Sequence, residues 1–333
     1  MHMLRTAGKT LSRLMVLLAC GTPVVPRAIA APQAWPADAR EYTFALTANA
    51  GNFHYFTLAA AGGQVTRALI VLHGHPRDVG NTLAAAAQAA SNSPDNKNIL
   101  IVAPLFQVSS AEASHCHSNG LPEALPDDAL WNCHSWLDGG KDNAGNLSAF
   151  SALDETIGDL KQRWPALSEI TVAGFSAGGQ FVQHYIAFSH PPAGVTLRYV
   201  VADPGSWLYF DPLEAKACPA VSDYKYGMHH LPAWLPDTPL QARARYRTAR
   251  IRYLEGEEDH GEGKGRYWRI LDKSCAAVAQ GESRLERGEN YARYDREVLK
   301  PVSPHRLAIV AGCAHDVRCV FPSAEGSQAL FDR

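Results

Sequence analysis

Gly174-Phe175-Ser176-Ala177-Gly178-Gly179 sets a serine among small residues, directly after the apolar run Ile170 to Ala173 and directly before the helix-compatible run Gln180 to Phe188. A sharp strand-to-helix turn presents a serine hydroxyl as a nucleophile, and small residues two positions to either side let the backbone pass close to its neighbours. A helix starting at Ala177 also aims its positive end at the attacking oxygen. The bare GxSxG pattern is weak evidence, because strand-to-helix turns need glycine for structural reasons alone. The strand before it and the helix after it make the chemical reading specific. A hydroxyl is a poor nucleophile at neutral pH, so this chemistry needs a base to take its proton and a carboxylate to hold that base in one tautomer.

Both partners are expected after the serine in chain order. Ala311-Gly312-Cys313-Ala314-His315-Asp316 follows the apolar run Leu307 to Val310, and of the fourteen histidines His315 alone sits on the loop after the last strand. The bland alternative is a solvated loop histidine. For the acid, the run Ile251 to Leu254 leads into Glu255-Gly256-Glu257-Glu258-Asp259, which makes Asp259 the first choice. Asp203, after the preceding strand, and Glu257 and Glu258 remain open alternatives. Acyl transfer also needs N–H donors for the developing oxyanion. Ala177 N–H is one. The other is expected from His73-Gly74-His75-Pro76, after the strand ending at Leu72: Gly74 lets the backbone approach, Pro76 has no N–H, and so His75 N–H is the candidate.

The elements that must hold these residues are legible as a repeat. Glu41 to Leu46 and Phe53 to Leu58 flank Ala50-Gly51-Asn52 as an opening antiparallel hairpin. Residues 68–72, 99–103, 170–173 and 199–202 are short continuous apolar runs, as in strands buried on both faces. Between them, Phe150, Leu153, Ile157, Leu160 and Trp164 form one helical stripe that stops at Pro165. Strand and helix alternating in this way predict an α/β fold with a mostly parallel sheet flanked by helices. Residues at about 107–147, rich in His, Asn, Asp and Gly, and at about 205–247, rich in aromatics and Pro, break the repeat. They read as insertions at the carboxyl edge of the sheet, where ligands of open α/β folds bind.

The chain has 333 residues, 46% hydrophobic and 19% charged, a globular composition with apolar material for a large buried sheet. Residues 1–30 read as an export signal: basic Arg5, Lys9 and Arg13, the apolar run Leu14 to Ala19, then Ala28-Ile29-Ala30 as a small-x-small cleavage site. Residues 31–333 would then be a single catalytic domain. The apolar run is too short for a stable membrane span. Leu17-Leu18-Ala19-Cys20 leaves a lipoprotein signal, acylated on Cys20, as the alternative. Removing residues 1–30 takes four of the 31 basic residues and none of the 33 acidic ones, leaving about −6 with histidine neutral. With no basic block, no nucleic-acid partner is expected. Export also favours pairing of the six remaining cysteines. Joining sequence neighbours gives Cys116 with Cys133, Cys218 with Cys275, and Cys313 with Cys319, the last bracing the loop that carries His315.

Together HGH at 73–75, GFSAGG at 174–179, GEED at 256–259 and GCAHD at 312–316 resemble the α/β-hydrolase superfamily over about residues 40–330. Within it the chain is similar to exported esterases of the polyhydroxybutyrate depolymerase and feruloyl esterase kind. It is still more similar to bacterial and fungal hydrolases that carry a segment like Cys218-Pro219 to Tyr226-Gly227 after the sixth strand. The Cys133 region and the Cys313 to Cys319 pair depart from those families. The resemblance implies the α/β-hydrolase fold and a small-molecule or polymeric ester substrate, handled by a serine esterase that needs no cofactor. A peptidase or amidase on the same fold, and a catalytically silent binding protein, are the competing readings. Trp207, Tyr209, Phe210, Tyr224, Tyr226 and Trp234 are candidates to wall an acyl or aromatic pocket, with Trp207 and Tyr209 as the candidate substrate-binding residues, and packing of the insertion onto the sheet explains all six equally well. His115-Cys116-His117 and Cys133-His134 have metal-ligand residue types. In an exported chain a disulfide accounts for them better, and no metal is expected. Nothing in the sequence sets the oligomeric state.

Overall fold

A computed structural model describes residue 2 and residues 35–59, 64–93, 98–116, 120–213 and 217–331. Apart from residue 2, the leader at 1–30, its cleavage site and Cys20 lie outside the described residues, as does His117. The strands are β1 (Arg40–Leu46), β2 (Gly51–Ala59), β3 (Arg67–Leu72), β4 (Ile99–Leu105), β5 (Glu169–Phe175), β6 (Thr196–Ala202), β7 (Ile251–Gly256) and β8 (Arg306–Val310). The helices are α1 (Val79–Asn92), α2 (Ser110–Cys116), α3 (Ala149–Arg163), α4 (Ala177–Phe188), α5 (Pro239–Thr248), α6 (Cys275–Val278), α7 (Arg284–Tyr294), α8 (Val317–Val320) and α9 (Ala324–Phe331). No helix among the described residues is long and apolar enough to cross a membrane.

The eight strands form one sheet in the order β1-β2-β4-β3-β5-β6-β7-β8. The first two pairings are antiparallel and all later ones parallel. The continuous apolar runs are explained by burial on both faces, since successive side chains of a strand point to opposite sides. In β3, Ala68, Ile70 and Leu72 pack with α3 and α4, while Leu69 and Val71 pack with α1 and α9. Helix α3 lays Phe150, Leu153, Ile157 and Leu160 on the first of these faces, and Ser148 caps it by accepting from Ser151 N–H.

The two irregular segments differ in kind. Residues 107–147 hold α2, one turn of 3-10 helix at Ser135–Asp138 and loops tied by the Cys116–Cys133 disulfide. Most of 205–247 is loop, but its end is α5, the crossover helix between β6 and β7, and not insertion as the sequence suggests. Only Ala242 and Tyr246 of this helix are buried, so it carries almost no apolar periodicity. Its legible mark is the reciprocal cap of Thr238 and Gln241 with Pro239 in the first turn.

The crowded point of the fold is the turn between β5 and α4. A Cβ on Gly178 would collide with the carbonyl oxygens of Leu72 and His73, and one on Gly174 with the backbone of Gly178. These are rigid backbone obstacles. Gly178→Ala should therefore lose about 3 kcal/mol or more, the upper end of overpacking costs, read as a lower midpoint in urea unfolding. A midpoint equal to wild type would mean that the turn is looser than described.

Candidate active site

Ser176 stands between the last residue of the central strand β5 and the first residue of α4, with φ 58° and ψ −118°. A non-glycine residue there is strained, and the conformation persists because its surroundings over-determine it. Ser176 N–H donates to Ala202 O at 2.9 Å, and Ser176 O accepts from Gln180 N–H at 2.9 Å. Strand β5 is paired along its length to β3 and β6, and all twelve residues of α4 are buried. The hydroxyl is half-buried and is carried on parts that do not yield.

The loop after β8 brings His315 Nε2 to 2.8 Å from Ser176 Oγ, and His315 Nδ1 lies 2.6 Å from Asp259 Oδ2. Of the four acids weighed from the sequence, only Asp259 makes this contact. Glu257 accepts from Gly312 N–H at 2.9 Å, Glu258 pairs with Arg266 at 2.6 Å, and Asp203 accepts from Gly256 N–H at 2.8 Å. Burial opposes the charge on Asp259, but the hydrogen bond and charge of His315, followed by the charge of Arg284, hold its carboxyl below the ordinary carboxylate range. Burial is the largest influence on His315 and lowers its pKa, the charge of Arg284 lowers it further, and the hydrogen bond and charge of Asp259 offset this only in part. A neutral imidazole with its proton on Nδ1 therefore donates to Asp259 and turns the lone pair of Nε2 to the serine.

The loop carrying His315 is itself pinned. Cys313 and Cys319 are joined by a disulfide, Glu258 N–H donates to Cys313 O at 2.8 Å, and Asp316 turns the chain by accepting from Arg318 N–H at 2.9 Å. Phe175 lies against the imidazole at 4.7 Å between ring centres and Tyr267, itself exposed, at 5.9 Å.

Across the site runs the loop after β3. A Cβ on Gly74 would stand 3.8 Å from Ser176 Cβ, so this loop passes beside the serine. Its shape is set by His73, which is fully buried: Nε2 accepts from Phe106 N–H at 3.3 Å, so Nδ1 carries the proton and donates to Gly74 O at 2.8 Å. Burial pushes the His73 imidazole down to about 3, so the ring stays neutral and the bond is kept across the physiological range. Gly74 N–H is taken by Asp78 Oδ1 at 2.9 Å. Among the described residues the amides of His75 and Ala177 have no acceptor, the condition for two donors converging on an incoming anion. The His75 ring faces His134 at 5.1 Å instead of the serine.

Trp207 and Tyr209 are not substrate-facing residues but packing residues, the second of the two readings that the sequence leaves open. They are 0% and 3% exposed, and Trp207 stacks on Tyr291 at 4.4 Å while Tyr209 meets the same ring edge-on at 5.1 Å. These aromatics fasten their segment to α7 and the sheet. Gln280 holds Trp207 from both sides, accepting from its N–H and donating to its O. The cysteines pair as sequence neighbours, 116 with 133, 218 with 275 and 313 with 319. His230, of the adjacent pair His229-His230, bonds Asp223 at 2.8 Å. Two residues at the centre of the site had no motif to mark them. Glu255 had a weak sign, an acid inside a buried strand, and Arg284 had none.

No protein-family model matches the chain, and no curated protein matches its sequence. Among solved structures, it superposes on poly(aspartic acid) hydrolase-1 from Sphingomonas sp. KT-1 with a TM-score of 0.64 at 19% identity, covering 88% of this chain and 98% of that one. It superposes on a poly(3-hydroxybutyrate) depolymerase from Bordetella parapertussis with a TM-score of 0.61 at 21% identity, covering 85% and 87%. An S-formylglutathione hydrolase from Agrobacterium tumefaciens gives 0.50 at 12%, covering 88% and 95%. The fold is the α/β-hydrolase fold.

Two measurements follow from this geometry. His315 should titrate by NMR below the ordinary imidazole value of about 6.5, whereas a value above it would contradict the balance of burial and Arg284 over Asp259. Replacing Cys313 and Cys319 together by alanine should cost about 2 kcal/mol, the figure for so short a ring, and should raise hydrogen exchange first at residues 311–319. Exchange that rises evenly over the sheet would show that the bridge does not brace this loop.

Proposed function

We propose that the chain is an exported serine hydrolase that cleaves carboxylic esters through an acyl-enzyme, with Ser176 as nucleophile, His315 as general base and Asp259 as its orienting acid. The observation that carries this reading is the continuous hydrogen-bond path Ser176 Oγ, His315 Nε2, His315 Nδ1, Asp259 Oδ2, mounted on a strained turn beside which the amides of His75 and Ala177 have no acceptor among the described residues. Ser176 Oγ attacks the acyl carbon as its proton passes to His315 Nε2. The carbonyl oxygen takes the electron pair and is held by the N–H groups of Ala177 and His75, each worth on the order of 3 kcal/mol. Collapse expels the leaving alkoxide, which takes the proton from His315, and water repeats the sequence to free the acid.

Export is supported by three disulfides in one chain and by the leader-like residues 1–30. On this reading residues 31–333 are one catalytic domain, released outside the cytoplasm or into the periplasm, or anchored through Cys20. The substrate is an ester, small or polymeric. The two solved structures with the higher TM-scores bear the names of a polyester depolymerase and a poly(aspartic acid) hydrolase. The second name keeps amide cleavage as the competing reading, because the same three residues break either bond and pocket shape selects between them.

A fluorophosphonate probe should label the protein on Ser176, and Ser176→Ala should lose the label together with a factor on the order of 10⁴ to 10⁶ in ester turnover. An unlabelled wild type would leave a silent binding protein on a hydrolase scaffold. Aryl and alkyl esters of rising acyl length, run beside peptide anilides and a polyester film, decide the bond: faster turnover of the anilides would make amidase the better name.

A further inference from the structure

Behind His315 the chain buries three carboxyl groups where one would serve. Asp203 follows β6, Glu255 lies within β7 and Asp259 follows β7, and they are 0%, 0% and 2% exposed. Among the described residues, the charged and titratable groups facing them are His315, from the loop after β8, and Arg284, from α7, with Arg287 further along the same helix. Arg287 is spent on backbone: it donates to the carbonyls of Gly281 and Asp272 at 2.8 Å each and to that of Gly205. Among the described residues Arg284 is the one arginine or lysine that reaches the acids, with Nη1 at 3.3 Å from Asp259 Oδ1 and 3.0 Å from Arg266 O. One cation therefore faces three acids.

The hydrogen-bond ledger is short by the same amount. Asp203 Oδ1 accepts from Gly256 N–H, but among the described residues Asp203 Oδ2 and both oxygens of Glu255 have no N–H or hydroxyl donor. Helix α7 comes down on Glu255 so closely that a Cβ on Gly288 would collide with its carboxyl group, so that side of the acid is closed. A buried carboxylate without donors is so unfavourable that the group takes up a proton instead. One ligand atom each of Asp203, Asp259 and His315 lie within 4.8 Å of one another, and a hydrogen bond between the Asp203 and Asp259 carboxyl groups raises the pKa of the first and lowers that of the second. A cation shared by these three is the competing use of the same atoms. However, both oxygens of Asp259 and both nitrogens of His315 already have partners, which leaves Asp203 as the only open ligand of the set.

We propose that Asp203 is un-ionised and donates its proton in a hydrogen bond to Asp259, with Glu255 un-ionised behind it, so that Asp203 is the positioning residue for the acid that orients His315. This deepens the reading of Ser176, His315 and Asp259 as a triad and rests on it. The proton stays on Asp203 throughout: it replaces the amide or water donors that would otherwise fix the carboxylate, and it leaves Asp259 free to face the imidazole. The electrostatics run the same way. Burial, then the charge of Asp259, raises the Asp203 carboxyl well above the usual range, and burial, then Asp203 and Asp259, does the same for Glu255.

Asp203→Asn keeps shape and donor, whereas Asp203→Ala removes both. Difference infrared spectra of wild type minus Asp203→Asn at about pH 8, far above the ordinary carboxyl pKa, should show the carbonyl stretch of an un-ionised acid. Asp203→Asn should keep kcat within about threefold and leave the acid limb of kcat/KM in place, while Asp203→Ala should lower kcat roughly ten- to a hundredfold with KM little changed. The native state here holds protons that the unfolded chain releases above about pH 4, so stability falls as pH rises from there towards the raised native value. The Tm of Asp203→Asn relative to wild type should therefore improve between about pH 5 and pH 8. No infrared band, or an acid limb that moves to lower pH in Asp203→Asn as when a negative charge is removed from beside His315, overturns the proposal. The infrared and Tm readings need no catalysis, so a wild type that resists fluorophosphonate sinks the triad reading without deciding the state of Asp203.

Discussion

The close passage of the β5–α4 turn over the backbone of β3 is the constraint on which the rest of the site depends. Leu72 O and His73 O leave no space for a side chain at Gly178, and the chain can turn there only by carrying Ser176 at φ 58°. Such strain costs on the order of 1–3 kcal/mol and survives because the strand before it is paired on both sides and the helix after it is buried on every face. The same crowding sets the direction of the serine. Its oxygen emerges at the carboxyl edge of the sheet, beside the first turn of α4 and the loop after β3.

Around that fixed point the polar groups are arranged by burial more than by pairing. His73 is kept neutral so that one hydrogen bond always holds Gly74 O, and His315 is kept neutral so that a lone pair faces the serine. Asp259 is the acid held in its charged form, between an imidazole N–H and Arg284. A low-dielectric pocket makes each of these interactions strong and makes every unpaired charge costly. Few charges and specified tautomers are what such a pocket tolerates.

The long segments at the carboxyl edge serve this arrangement by bracing it. Gln180, one turn after Ser176, donates to Asp138 at 2.6 Å, and His184 bonds Lys225 O at 2.7 Å, so α4 is tied to both irregular segments. Disulfides close 116 to 133 and 218 to 275 within or beside the same segments. The aromatics of 205–210 go inward, and the exposed ring of Tyr267 stands 5.9 Å from that of His315.

Local patterns in the sequence determined the parts whose causes are local. Continuous apolar runs marked six parallel strands, because burial on both faces removes polar residues from them. Glycines around Ser176 marked the turn, because no other residue fits it, and the placement of His315 and Asp259 after their strands put both on loops that the structure brings beside Ser176. Tertiary structure alone decided which of four acids meets His315, since Asp203, Glu257, Glu258 and Asp259 are all short-range candidates and the winner depends on a loop 56 residues further along. It also decided that Trp207 and Tyr209 are core, that α5 is a helix despite its polar face, and that Glu255 and Arg284 lie behind the site. Each of these is a matter of what long-range packing excludes from water, and burial is a property of the assembled chain that no window of sequence contains.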